Sequence, residues 1–308
     1  MNTRALLKWA SSISSLALVA SIFTTTVTFA VPACPKVSKN GTVKPAPTPR
    51  VNWSGCDLSS ANLFGANLTM AKLSLANLSG AKLQTAILVN ADLTNANLSR
   101  ADLSRADLNN VTLSRANLTQ ANLFKANFKC TDLNDADRYC AHFDNTNFTR
   151  ANLSHANLFG AQLYKDNFSG TQFIKADMRN SAIWYGKFLG TDFSGADLSK
   201  AFLAGEKMSG VIMVGAKLRN SSLYNSSLVQ ANLSGADLSG SEIYGSDLNR
   251  ANLTRANFTG ANLTKANLVS TNLTQTNFTN CHLDQANIMW AVIQGTVFKN
   301  ASTVGLIQ

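Results

Sequence analysis

Two carboxylates occupy places in this chain where almost every comparable place holds a small side chain. They are Asp166 and Glu206, and Gly186 lies midway between them in the sequence. The three residues are spaced 20 positions apart. If the chain winds into coils of 20 residues, they lie above one another on one corner. Because an unpaired buried carboxylate is costly, the corner must open to solvent, pair with a base or bulge. The basic residues nearest in sequence are Lys165, Lys187 and Lys207. A salt-bridged bulge and part of a binding site are both open interpretations.

Aromatic side chains follow the same spacing. Four of them share one column at whole-coil intervals, namely Tyr164, Trp184, Tyr224 and Tyr244, and Tyr185 lies alongside. Phe64 and Phe124 fall earlier in the same column. The next column on that face holds the basic residues Arg105, Lys125 and Lys165. Aromatic rungs about 4.8 Å apart can stack on each other, whereas clustered exposed aromatics mark interfaces. The column therefore predicts either an aromatic stack or a binding strip for a protein or a glycan.

The sequence shows no constellation of catalytic residues. The three histidines, His142, His155 and His282, lie far apart, and a surface histidine is the simpler interpretation of each. No glycine-rich phosphate loop and no metal-ligand spacing stands out. We therefore predict no catalytic residue, no cofactor and no metal site.

A five-residue repeat positions all of these residues. A central residue can be followed at every fifth position from Trp53 to Phe298, and 49 of these 50 positions are apolar, the exception being Arg138. A period of five fits neither an amphipathic helix nor an alternating strand. With one short extended piece and one turn per repeat, four repeats would close a square coil, and successive coils would pair about 4.8 Å apart. Glycine in the last place, as at Gly160 and Gly260, suits a turn with positive φ.

The repeat reads Ala, Asp or Asn, Leu, then two variable residues, as in Ala251-Asn252-Leu253-Thr254-Arg255. This pattern resembles the signature of the pentapeptide-repeat family over residues 51–300. The resemblance implies an all-β fold, a right-handed quadrilateral β-helix with a Leu/Phe core, and the fifty repeats predict about twelve coils. The Asn and Asp side chains are expected to hydrogen-bond nearby backbone at the turns.

The chain is predicted to have four parts. Residues 1–30 read as a secretory signal peptide, with a membrane anchor as the alternative. Residues 31–50 contain all five prolines and are expected to form an extended Pro/Lys-rich linker. Residues 51–300 form the β-helix, and residues 301–308 form a C-terminal tail or cap. The protein is thus expected to be exported, to the periplasm or beyond it, with lipid anchoring at Cys34 as a weaker alternative.

The cysteines leave pairings open. Cys130 and Cys140 flank Arg138 and could close a small excursion, but in an undisturbed coil they would lie on opposite corners, too far apart to bridge. If ten residues do loop out, every face after 140 shifts by half a coil, and Phe64 and Phe124 leave the aromatic column. Cys34 with Cys56 is another candidate pair, and Cys281 takes an inward place as a core thiol.

At the C-terminal end the usual polar places become apolar, at Met289, Trp290, Val292 and Val297 and again near the last residue. A solenoid needs caps at its edges. The pattern predicts a hydrophobic lid or a tail-to-tail homodimer through 286–308.

Charge narrows the class of function. The net charge is +10, but residues 51–308 hold 21 basic and 17 acidic residues, so the repeats are only mildly basic. Nucleic-acid binding is not expected, because it needs clustered basic residues. Relatives that mimic DNA toward topoisomerases need a strongly acidic face, which puts that activity in doubt. The prediction is an exported, non-enzymatic scaffold that binds an unidentified protein, or a glycan or anionic surface, through 164–244. The alternatives are a DNA-mimicking topoisomerase modulator and a secreted effector or envelope protein whose length is its function.

Overall fold

The computed structural model describes residues 33–128 and 141–308. Five short strands occur in these residues: β1 (Lys36–Val37), β2 (Val43–Lys44), β3 (His142–Asp144), β4 (Gln162–Tyr164) and β5 (Ala182–Trp184). β1 and β2 pair antiparallel, and β3, β4 and β5 form a parallel sheet in that order. Within the described ranges, the structure contains no helix of the length and apolarity needed to cross a membrane.

Isolated parallel bridges carry the rest of the pairing. Asn52 pairs with Lys72, four repeats ahead, and each of the next three bridges starts one repeat later and reaches equally far. Four rows of bridges therefore run along the repeats. The backbone alternates between partners: Leu58 N donates to Asn77 O at 2.7 Å, and Asn77 N donates to Cys56 O at 2.9 Å. The predicted coil of four repeats with four corners is thus confirmed.

Each regular corner is closed by two local bonds. In the backbone, the N–H of the small residue donates to the carbonyl of the preceding central residue, as Ala61 does to Leu58 at 3.0 Å. In the second bond, the side-chain oxygen of Asn or Asp accepts the backbone N–H of the residue two places later. An example is Asn67 Oδ1, which accepts Thr69 N at 3.1 Å. The expected turn role of these side chains is confirmed.

The core consists of the central Leu and Phe side chains and the small residues that precede them by two places. Leu58, Ala61 and Leu63 are almost fully buried, and the pattern continues to Ile288. Phe rings stack between coils in the middle and later repeats, for example Phe173 on Phe193 with centroids 5.0 Å apart. Cys281 is a buried free thiol, as predicted, and burial raises its pKa to about 12.

The pairing offset changes once. Asn97 pairs with Asn117, four repeats on, but Asn117 pairs with Asn147, six repeats on. The pairing offset therefore grows by two repeats between 128 and 141, and the half-coil shift of every face after 140 is confirmed. The predicted column that joined Phe64 and Phe124 to Tyr164 was wrong for that reason. Cys130, Cys140 and Arg138 lie outside the described residues.

The N-terminal segment differs from the predicted extended linker. The hairpin of β1 and β2 lies against the first coils, Val43 is 6% exposed, and Gly41 O accepts Asn62 N at 2.7 Å. Cys34 forms a disulfide with Cys56, which confirms that candidate pair. The prolines suggested a linker, but the apolar side chains of this segment join the core cluster and cover its first edge.

The C-terminal residues continue the coil instead of leaving it. Ser302 pairs with His282, and Ile307 pairs with Asn287. Ile293 holds a core place in its repeat yet is 52% exposed. Among the described residues, no element covers this last coil.

Candidate functional site: an aromatic cleft beside a modified corner

One corner is built differently in three successive coils. Here the strands β3, β4 and β5 replace single bridges, and we call residues 142–146, 162–166 and 182–186 the modified corner. Instead of a turn bond to a carbonyl, Thr146 N donates to Asp166 Oδ1 at 2.7 Å. Likewise Gly186 N donates to Glu206 Oε2 at 2.9 Å. A carboxylate from the following coil thus accepts the N–H that a regular turn satisfies internally.

Glu206 holds two consecutive backbone amides. Its Oε1 accepts Tyr185 N at 2.6 Å while its Oε2 accepts Gly186 N. The side chain is 5% exposed, and burial raises its pKa, although the two amide bonds act in the opposite direction.

The predicted lysine partners of the two carboxylates were wrong. In the part of the chain that the structure describes, the ion pairs are Arg179–Asp177, Lys217–Asp197 and Arg219–Asp237. Lys165, Lys187 and Lys207 are exposed instead, because their positions in the repeat face solvent.

Asp166 is fully buried and takes no part in an open site. Burial raises the pKa of its carboxyl well above the usual value, the nearby Asp144 charge adds to this effect, and the bond from Thr146 N opposes it. Its Oδ2 has no hydrogen-bond partner among the described residues. The expectation that Asp166 belongs to a binding surface is not met, since its side chain points inward.

Gly186 lies between the two carboxylates because a side chain does not fit there. A Cβ built on Gly186 would lie 2.6 Å from Cζ of Phe188, well inside van der Waals contact. The missing side chain thus makes room for a core phenylalanine, and its N–H faces Glu206.

The aromatic column is partly a stack and partly open. Tyr224 and Tyr244 stack with centroids 5.1 Å apart and planes 7° apart. Tyr164 instead meets the ring of Tyr185 edge-on, with centroids 5.6 Å apart. Trp184 and Tyr224 are two coils apart, about 10 Å by strand spacing, and the rung between them holds only Ala204.

This missing rung opens a cleft of about 500 Å³, which we call the aromatic cleft. Its lining residues are Trp184, Tyr185, Gly186, Phe202, Ala204, Gly205, Glu206, Lys207, Tyr224 and Asn225. The structure thus brings together five predicted site residues: Trp184, Tyr185, Gly186, Glu206 and Tyr224. Tyr164, Lys165, Asp166, Lys187 and Tyr244 do not line it.

Sequence reasoning missed Phe202, whose ring lies 6.0 Å from Trp184 and 6.1 Å from Tyr224, centroid to centroid. A signal was available, because Phe202 is the one Phe, Tyr or Trp at the repeat place that usually holds Asn or Asp. Aromatic walls with a few polar groups are typical of binding sites.

Over residues 33–128 and 141–308, no group of three or more His, Cys, Asp or Glu side chains is placed to hold a metal ion. At the C-terminal end, Trp290 is 76% exposed, and Val292 and Val297 are about half exposed. Met289 N donates to Asn287 Oδ1 at 3.0 Å in a regular turn. The predicted dimer surface is therefore open to solvent in the single chain.

Parallel pairing between successive coils, four corners per coil and an apolar core define a repetitive four-sided β-solenoid. A family model described as "Pentapeptide repeats" matches residues 50–80, 76–115, 101–137, 140–180, 187–225, 216–255 and 256–300. The chain therefore belongs to the pentapeptide repeat family, which confirms the resemblance. Membership implies the right-handed quadrilateral β-helix, and members of the family are generally structural or binding proteins.

Solved structures show similar repeats. A pentapeptide repeat protein from the Arabidopsis thaliana thylakoid lumen is 30% identical, with a TM-score of 0.30, over 30% of this chain and 66% of that one. HetL, involved in heterocyst differentiation regulation in the cyanobacterium Nostoc sp., is 24% identical, with a TM-score of 0.23, over 84% of this chain and 90% of its own. QnrB1, a plasmid-mediated fluoroquinolone resistance protein, is 18% identical, with a TM-score of 0.35, over 62% and 83%. No curated protein matches the chain.

Proposed function

We propose that this protein is an exported, non-enzymatic scaffold of about twelve right-handed coils that binds a protein partner, or a glycan, in the aromatic cleft. The observation that carries the proposal is the cleft itself. Trp184, Phe202 and Tyr224 are only partly buried, although aromatic rings on a monomer are usually covered. Lys207 and Asn225 give the rim polar groups that can orient a partner.

Export is supported by the disulfide between Cys34 and Cys56, since disulfides persist in oxidising compartments. It agrees with a signal peptide over residues 1–30. Because the Cys34 sulfur is bonded to Cys56, the proposal favours a protein without a lipid at that position.

The net charge of the repeats does not support the alternative function as a DNA-mimicking topoisomerase modulator. A protein that mimics DNA needs a strongly acidic face, whereas residues 51–308 carry four more basic than acidic residues.

The test replaces the two rings that bound the cleft, in the variant Trp184→Ser/Tyr224→Ser. Central interface aromatics contribute about 2 kcal/mol or more each. We therefore expect affinity capture from a cell-envelope fraction to lose one specific partner. The matched control is Phe159→Ser, which removes an aromatic ring from the same repeat place outside the cleft. Equal capture by wild type and both variants, all with unchanged circular dichroism, contradicts the proposal and favours a function of length alone.

We also propose that the last coil pairs tail-to-tail with a second copy of this chain through 286–308. Its apolar residues have no cover in the described chain, and exposed β-edges recruit partners. Trp290→Lys/Val297→Lys should halve the mass measured by light scattering. Met70→Lys/Leu75→Lys changes two exposed apolar residues elsewhere and should leave the dimer intact. A monomeric wild type would refute the dimer without affecting the cleft.

A further inference from the structure

A second groove lies two corners around the coil from the aromatic cleft and shares no residue with it. Its volume is about 410 Å³. Its lining residues are Phe64, Gln84, Thr85, Ser104, Arg105, Asn122, Phe124 and Asn152. The lining thus combines two phenyl rings, three amides, two hydroxyls and one guanidinium group.

A row of basic side chains starts in this groove and continues along the coils. Arg105, Lys125, His155 and Lys175 hold the last repeat place on the same corner in four successive coils. This alignment follows from the bridges Asp102 to Asn122, Asn122 to Asn152 and Asn152 to Gln172. All four side chains are exposed, and they rise by about 4.8 Å per coil. We call this row, together with the groove, the basic groove.

The basic side chains of the basic groove are not ion-paired within the described chain. In the segments 101–105, 121–125, 151–155 and 171–175, Asp102 is the one acid. Its oxygens already accept Gln84 Nε2 at 2.8 Å and Asn122 Nδ2 at 3.0 Å. None of the four basic side chains forms an ion pair within the described chain.

The groove also places an unpaired amide oxygen and two phenyl rings beside the basic row. The buried Gln84 Oε1 has no hydrogen-bond partner among the described residues. Phe124 touches His155 edge-on at 5.4 Å between centroids, and Lys125 Nζ lies 5.2 Å from the Phe124 ring centroid. The phenyl ring of Phe64 is two-thirds exposed.

We infer that the basic groove binds a linear acidic polysaccharide that runs along the coils with its carboxylates facing the basic row. Basic rungs repeated at strand spacing suit a linear chain of regularly spaced negative charges. Amides and hydroxyls match sugar hydroxyl groups, and exposed phenyl faces match the C–H faces of pyranose rings. A phosphate polymer would need only the charges, whereas this lining adds both sugar-binding features.

The test measures binding of a short oligogalacturonate at low salt by titration calorimetry. The variant Arg105→Glu/Lys125→Glu should weaken binding by at least tenfold, and Phe124→Ser by a smaller factor. The matched control is Arg250→Glu/Arg255→Glu, which makes the same charge change at the same repeat place. Arg255 lies on the corner row of Arg105, but its neighbours on that row, Gly235 and Gln275, are uncharged. The control should bind nearly as well as wild type, and so should Trp184→Ser/Tyr224→Ser, which separates this inference from the proposed function.

Four results overturn the inference. They are absent binding to wild type, equal weakening in the control variant, equal binding of a neutral cello-oligosaccharide, and tighter binding of a single-stranded oligonucleotide than of oligogalacturonate. Melting curves of every variant show whether a loss reflects the groove or the fold.

Discussion

The regular repeats at 251–265 and the modified corner satisfy the backbone N–H at the turn in different ways. In the regular repeats, Ala256 N donates to Leu253 O at 2.9 Å, so each corner closes within its own coil. At the modified corner, Thr146 and Gly186 give their N–H groups to carboxylates of the next coil. In the first arrangement the turn bond lies within one coil, whereas in the second a side chain of the next coil accepts the turn N–H. Because Glu206 holds the amide of Tyr185, the same carboxylate fixes one wall of the aromatic cleft.

The largest expected effect comes from removing that acceptor. Glu206→Ala removes the acceptor of the part-buried amides of Tyr185 and Gly186, and a hydrogen bond to a charged group contributes about 1.5–3 kcal/mol. We expect about 3 kcal/mol of lost stability in denaturant unfolding and faster hydrogen exchange at these two amides.

The matched control is Ser241→Ala, at the same repeat place in a regular corner. Its hydroxyl donates to Leu238 O at 2.6 Å, and its loss should cost about 1 kcal/mol or less. Equal destabilisation in the two variants would contradict this role of the Glu206 carboxylate.

A smaller effect is expected at the glycine of the modified corner. Gly186→Ala places a methyl group against the ring of Phe188, and overpacking of this kind costs about 1–3 kcal/mol. Gly260→Ala meets no atom within 4 Å but has φ of +68°, so it should cost only about 1 kcal/mol. A thermal melt in which the two substitutions lower stability equally would show that crowding is not what selects glycine at 186.

The mildest effect is a pH dependence. Because the folded-state pKa of Asp166 is raised above its unfolded value, the folded protein holds this proton more tightly. The contribution of Asp166 to stability should therefore be fully present below the unfolded pKa of about 3.9. It should fall as the pH rises from there through the folded pKa. Asp166→Asn cannot ionise and should flatten this slope, with a melting temperature at neutral pH no lower than that of wild type. A slope unchanged in the variant would assign the effect to other groups.

The sequence predicted the coil because the apolar period is unbroken, and it singled out Asp166, Gly186 and Glu206 because they violate the small-residue rule. It could not predict their partners. Lysines adjacent in sequence looked suitable as partners, but the carboxylates accept backbone amides one coil away. Only the structure shows which corner lacks its turn bond. Phe202 was missed because the repeat place that usually holds Asn or Asp was assigned only a role in the turn. The half-coil shift could not be located from the sequence, because a change of offset by two whole repeats leaves the period intact.

The change of pairing offset between 128 and 141 has a rotational consequence. Along the sequence, Arg105 and Lys125 are in phase with Lys165 and with the column beside Trp184, so they read as one strip. The longer offset turns every residue after it by half a revolution, and Lys125 is instead followed on its row by His155 and Lys175. A single bifunctional strip is thereby divided into two surfaces that face away from each other. Gain or loss of whole repeats at this point would rotate one surface relative to the other in quarter turns, without changing a residue in either.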